Sequence, residues 1–337
     1  MGEDGGVRDV DPSDDVIADA VRTLRGGGLV AFPTETVYGL GADAANAEAV
    51  GRLFAIKARP PTHPVIVHLG QPGQIDTWAV DVTEVAHRLA AACWPGPLTL
   101  VLPRSRRVPD EVTGGRDTVG LRVPGHAIAL RLLREFGGGV AAPSANRFGR
   151  VSPTTAADVR ADLGGDVDLI VDGGPCEVGV ESTVVDCSEG EPVILRPGGV
   201  ARERVEEIVG RPVTVTADAV GRAPGTLSSH YAPRARVVVV DDPTDLAERA
   251  TALLTGGSRV GVLAEKRPDD LPPGVAVLDP PRDADEYARV LYARLRAADE
   301  QGLDVLLAVA PVEMGIGAAV ADRLRRASGT GSRGGGA

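Results

Sequence analysis

Lysine is almost missing from this chain. Of 36 basic residues only Lys57 and Lys266 are lysines, so arginine is the default cation and a retained lysine needs a reason. Aromatic residues make up 3%, which leaves the core to Val, Leu, Ile and Ala and gives few platforms for stacking bases. Positive net charge is absent too. The 36 basic and 47 acidic side chains sum to −11, the wrong sign for a protein that wraps nucleic acid through its phosphates. Cys93, Cys176 and Cys187 show no C-x-x-C spacing and cannot pair evenly, which argues against a disulfide framework and a structural zinc site. No apolar run reaches the length of a membrane span, and the acidic opening MGEDGGVRDVDPSDD lacks the apolar segment of a signal peptide. A cytoplasmic globular protein is the expectation. Glycine and proline are plentiful, at 43 and 26, which predicts many tight turns and irregular loops. A length of 337 predicts about two domains.

Hydrophobic periodicity fills in the order of elements. Ser13 can cap a helix that buries Val16, Ile17, Ala20, Val21 and Leu24. Strands are predicted at 29–33, 64–69, 98–103, 119–124, 140–143, 168–173, 182–187 and 192–197, and helices at 46–58, 83–93, 126–136, 155–163 and 202–209. The interleaving lacks strict strand–helix–strand regularity. A twisted mixed sheet with helices packed on it is therefore expected over 14–210. Residues 211–236, rich in small residues, Gly and Pro, read as an interdomain linker long enough to have a task. Regular alternation then returns over 237–327 and predicts a smaller, Rossmann-like parallel sheet, followed by a frayed tail.

Five strings concentrate polar groups at strand ends. FPTETVYGLG (32–41) crowds Thr34, Glu35, Thr36 and Tyr38 after a buried strand; a capped turn feeding a helix is the plainer alternative for any single residue. KARPPTHPVIVHL (57–69) sets Lys57 and Arg59 at a helix end beside a proline-stiffened loop that includes His63. A helix dipole explains two cations there but not the stiff loop, whereas rigid Lys and Arg suit a polyphosphate. His68 interrupts an apolar strand, either as a satisfied core residue or as a group facing a cleft. Arg122, inside TVGLRVP, requires a partner: an internal acid or a substrate carboxylate. Ser144, Asn146 and Ser152 share the loop 142–154, which is either an anion cradle or plain surface. Ser182, Thr183 and Arg196 close the set on VESTVVDC and VILRPGG. Converging cations and hydroxyls, with no metal set and no Ser–His–Asp pairing, point to a polyanionic ligand and to charge stabilisation as the chemistry.

Taken together and in this order, PTETVYGLG, Lys57-x-Arg59, Ser144-x-Asn146, VEST and LRPG resemble the YrdC-type catalytic domain over about residues 14–210. The HYAP string at 230–233 before a Rossmann-like tail is similar to the longer members, the L-threonylcarbamoyladenylate synthases. The resemblance implies L-threonine, bicarbonate and ATP as substrates and Mg²⁺ arriving with ATP. It implies a product passed to the machinery that modifies tRNA beside the anticodon, with at most a weak direct tRNA contact. Carried over by position, the threonine site would use Thr34, His68, Arg122, Ser182 and the backbone near Ala142. The ATP site would use Lys57, Arg59, His63, Thr118, Ser144, Asn146, Ser152, Arg196 and the linker's Tyr231, with Lys57 and Arg59 catalytic. The chain departs from the common pattern at His63, where many members carry Asn. Two other readings are weaker. Relatives acting on carbamoyl phosphate usually carry cysteine-rich modules, and an RNA-binding module sits badly with the charge and the few aromatics.

Overall fold

The structure is a computed structural model, and it describes residues 9–10, 14–216 and 230–329. Ser13, half of the expected linker (217–229) and the expected tail lie outside the described residues. Contacts divide the chain into two units. The first takes most of the chain up to about 226; the second comprises 149–151, 178–180 and the chain from 227 on.

The first unit is built on one mixed sheet. Its strands are β1 (Asp9–Val10), β2 (Val30–Phe32), β3 (Gly39–Asp43), β4 (Ile66–His68), β5 (Leu98–Pro103), β6 (Thr118–Arg122), β7 (Val140–Ala141), β8 (Leu169–Val171), β9 (Thr183–Asp186), β10 (Val193–Arg196) and β11 (Thr214–Val215). They lie in the order β1-β8-β2-β3-β7-β4-β6-β5-β9-β10-β11. Parallel pairs such as β4 with β6 and β5 with β9 alternate with antiparallel ones such as β3 with β7 and β5 with β6. This is the mixed sheet that irregular alternation predicts. β11 pairs with β10, so the sheet continues past residue 210.

Glycine makes one close approach possible. Gly39-Leu40-Gly41 reads in the sequence as the closing turn of a polar string, yet it forms the start of β3, between β2 and β7. A Cβ on Gly41 would lie 2.8 Å from both the Phe32 ring and Val140. Only a residue without a side chain lets the strand pass there.

The helix Ala47–Lys57 shows how the fold places a cation. Asn46 caps it by accepting from the Glu48 and Ala49 N–H groups, and its buried face carries Val50, Leu53, Phe54 and Lys57. That is the i, i+3, i+4, i+7 stripe, so the apolar face itself carries Lys57 inward. Ala58 then adopts φ 52°, the left-handed conformation that ends a helix, and aims Arg59 along the next loop.

The second unit carries four parallel strands, β12 (Arg236–Val239), β13 (Val260–Leu263), β14 (Ala276–Val277) and β15 (Val305–Ala308), in the order β12-β15-β13-β14. The helix Ala284–Glu300 buries Tyr287, Leu291, Tyr292 and Leu295, and the helix Gly317–Ala327 buries Val320 and Leu324. Among the described residues no helix is long and apolar enough to cross a membrane.

Candidate active site

Arg122 ends β6 beside His68 at the end of β4, since the two residues are register partners on neighbouring parallel strands. Both are buried. The acid that Arg122 requires is Glu35: its Oε1 lies 2.8 Å from Nη2. Neither Glu35 oxygen accepts a well-aligned hydrogen bond, so charge and proximity hold the pair. Nη2 also donates to Thr36 Oγ1 at 2.9 Å, and Nε donates to the Gly96 carbonyl at 3.3 Å. Thr36 and Thr34 share a hydrogen bond of 2.8 Å, and Thr34 Oγ1 donates to the Val37 carbonyl. The PTET string is thus a knot of side chains tied to Arg122. The internal ion pair is real, and it leaves Nη1 donating to no acceptor among the described residues.

Ser182 stands just before β9. Its hydroxyl is 2.7 Å from Thr99 Oγ1, and Arg196, at the end of β10, donates to its carbonyl and hydroxyl. A Cβ on Gly198 would approach the Ser182–Thr183 peptide to 2.3 Å, so the LRPGG turn presses directly on this segment. Pro97 accepts from the Thr183 N–H, which connects Ser182 through Gly96 to Arg122. Ala142 follows β7 and donates its N–H to the Ile66 carbonyl on β4.

A second group gathers at the other end of β4. Lys57 Nζ donates to the carbonyls of Ser144 and Asn146, and the Phe148 N–H returns to the Lys57 carbonyl. Arg59 donates to the Pro64 carbonyl at 2.8 Å and lies over the rings of Phe54 and Phe148. His63 is half-buried, edge-on to Phe148. Ser152 donates to Glu181 at 2.7 Å. Thr118 opens β6, four residues from Arg122 and therefore about 13 Å along the strand. Lys57, Arg59, His63, Ser144 and Asn146 thus gather apart from Arg122, whereas Arg196, expected at the ATP site, is bonded to Ser182 of the expected threonine set. Tyr231, expected as a nucleotide contact, is buried in the second unit with φ 62°, stacked on Tyr292 and lying under the Arg323 guanidinium.

Burial disfavours the charged forms of the histidines, the lysine and the cysteine here. It pushes His68 down to about 3, with the Arg122 charge adding to the effect. It also lowers His63, beside Arg59 and Arg116, lowers His126, and raises the Cys176 thiol. Lys57 is held well below its usual value by burial and then by Arg59. His68 makes stability depend on pH. Its folded value lies below its unfolded value of about 6.5, so the unfolded chain binds the extra proton. Stability is full above about pH 6.5 and falls as pH drops towards 3. Between pH 7 and pH 5 this one group removes about 2 kcal/mol. His68→Asn should unfold in denaturant with a loss smaller by about that amount over the same interval; an unchanged loss would place the acid sensitivity elsewhere.

Sequence reasoning missed Glu35 as the partner of Arg122, Thr36 and Thr99 as hydroxyl relays, and Glu181 as the acceptor of Ser152. A search for acids to match a buried arginine would have drawn attention to Glu35, the one carboxylate in an otherwise uncharged buried string.

Comparison with known proteins fits this arrangement. The family profile described as Telomere recombination (Sua5, YciO and YrdC proteins) matches residues 22–198. A second, described as Threonylcarbamoyl-AMP synthase, C-terminal domain, matches residues 200–329. The Threonylcarbamoyl-AMP synthase of Pyrococcus abyssi is 44% identical, over 91% of this chain and 92% of its own. The chain belongs to the two-domain threonylcarbamoyl-AMP synthase family. The Bacillus subtilis synthase is 40% identical over 94% of each chain. The crystal structure of P. abyssi Sua5 complexed with L-threonine superposes with a TM-score of 0.89, at 42% identity, over 96% of this chain and 98% of that one. A double alanine variant of the same Sua5 superposes with a TM-score of 0.90 at 40% identity, over 96% and 97%. Family members of this name make a carbamoyl-adenylate, a nucleotidyl transfer from ATP.

Proposed function

We propose that this chain makes threonylcarbamoyl-AMP and pyrophosphate from L-threonine, bicarbonate or CO2, and ATP. The observation that carries the reading is Arg122, a buried guanidinium fixed at Nε and Nη2 with Nη1 left open, beside a relative solved with L-threonine. Arg122 would take the threonine carboxylate. Thr34, His68, Ser182 and the Ala142 backbone would shape the rest of the amino-acid pocket. Lys57, Arg59, His63, Thr118, Ser144, Asn146, Ser152 and Arg196 would serve ATP, with Lys57 and Arg59 nearest the transferred phosphoryl group.

The chemistry needs no protein nucleophile. The threonine amine loses a proton and adds to CO2, giving a carbamate; from bicarbonate the balance includes one water. A carbamate oxygen then attacks the α-phosphorus, the bond to the bridging α–β oxygen breaks, and pyrophosphate leaves. The residues position the reactants and neutralise charge. Among the described residues no group of three or more His, Cys, Asp or Glu could hold a metal ion. The donors that fit Mg²⁺ are the phosphate oxygens of ATP, so it would enter with the nucleotide and offset phosphate charge. The buried pocket would keep water from the labile carbamate.

Pyrophosphate release tests the reading. It should require L-threonine. It should be weaker with serine, which lacks one methyl worth about 1–3 kcal/mol, and absent with valine, which lacks the hydroxyl. Release indifferent to the amino acid would overturn it. The product would then pass to the enzymes that transfer the threonylcarbamoyl group to tRNA.

A further inference from the structure

We infer that Glu35 cancels the charge of Arg122 in the amino-acid pocket, so that the site selects a zwitterion over a plain carboxylate. This rests on the proposed threonine site. The geometry is an ion pair, 2.8 Å between Glu35 Oε1 and Arg122 Nη2, with side chains 8% and 4% exposed. Arg122 alone would give the pocket one positive charge, and any small monoanion could satisfy it. With Glu35 attached, the pair sums to zero.

Another buried cation, Arg196, is turned onto the Ser182 carbonyl and hydroxyl rather than onto the pair. His68 is the register partner of Arg122 on β4, His126 approaches Glu35 at the start of the helix Ala127–Phe136, and Cys176 lies near both partners; burial favours the neutral form of each. Glu177, near His126, is exposed to solvent. Gly125 adds a steric detail. A Cβ there would lie 3.5 Å from the Glu35 carboxyl, an ordinary contact, so the chain at Gly125 passes about one methyl's width from the carboxylate.

A carboxylate on Nη1 would sit on the order of 5 Å from the Glu35 charge, close enough in a poorly screened site to weaken its binding by about tenfold or more. An ammonium group on the same ligand cancels that repulsion. Glu35 therefore acts on specificity through the charge of the pocket and the orientation of Arg122. Its oxygens are sealed from solvent and need not touch the ligand.

The test compares two ligands on two proteins, by calorimetry. One ligand is L-threonine. The other is 3-hydroxybutyrate, which is threonine without its amine. The wild-type chain should bind threonine and bind 3-hydroxybutyrate weakly. In Glu35→Gln, 3-hydroxybutyrate should bind about tenfold more tightly and threonine about tenfold more weakly. A gain in binding cannot come from a damaged fold. Glu35→Asp, which keeps the charge, should keep the wild-type preference. If the glutamine variant does not fold, Glu35→Ser carries the same expectation. A parallel loss of both ligands, or no change in their ratio, overturns the inference. Failure of the wild-type chain to bind threonine at all would instead overturn the proposed function.

Discussion

Arg122→Ala should cripple use of threonine while ATP still binds. The substitution removes the group proposed to hold the substrate carboxylate and leaves Glu35 buried without its cation. Breaking one side of a buried ion pair costs about 3–5 kcal/mol, so a lower melting temperature should accompany the loss. Losing a charge-assisted fork should lower kcat/KM for threonine by about 10²–10³-fold, or about 3–4 kcal/mol. Arg122→Lys separates the two effects. It keeps a cation against Glu35 but cannot bond Thr36, Glu35 and a substrate carboxylate in one plane. Its stability should approach that of the wild type while KM for threonine stays raised. Equal damage to ATP and threonine binding in both variants would contradict the division of the site into two groups.

Lys57→Met should show the opposite balance of stability and activity. Lys57 is fully buried, and its folded pKa lies well below the unfolded one. For a base shifted this way the unfolded chain holds the proton more firmly. The penalty on the fold therefore grows as pH falls from about 10.5 to the folded value, stays in full below it, and disappears only in alkali. Methionine removes that penalty and fills the same space. It also takes a donor from the carbonyls of Ser144 and Asn146. These two changes oppose one another, so stability should stay within about 1 kcal/mol of wild type. Pyrophosphate release should nevertheless fall about 10²–10³-fold, because Arg59 is left as the only one of the two proposed groups beside the phosphates. A large loss of stability with activity retained per folded molecule would make Lys57 a structural pin for the loop and nothing more.

What the sequence made legible follows from the range of the forces involved. The helix ending in Lys57 could be read from a stripe of apolar residues along its 11 residues and the Asn cap just before them. The parallel sheet of the second unit could be read from its regular alternation. β3 could not, because Gly39 and Gly41 have poor strand propensity. Gly41 is required by Phe32 and Val140, which fill the space its side chain would have occupied. Arg122 was visible as a charge in need of a partner, but the partner lies 87 residues away and meets it only once β2, β3, β7, β4 and β6 are laid side by side. Ser152 and Glu181 illustrate the same limit. The strings that carry the site were visible individually, and the family resemblance assigned their roles; the hydrogen bonds that join them depend on strand order.

One measurement addresses the central claim most directly. The chain is incubated with ATP, Mg²⁺, L-threonine and ¹³C-bicarbonate, and the quenched mixture is analysed by mass spectrometry beside an assay of pyrophosphate. The account predicts an adenylate that contains threonine and one labelled carbon, formed in equal amount to pyrophosphate and missing when threonine is left out. Pyrophosphate without that adenylate, or an adenylate that carries no label, would contradict it.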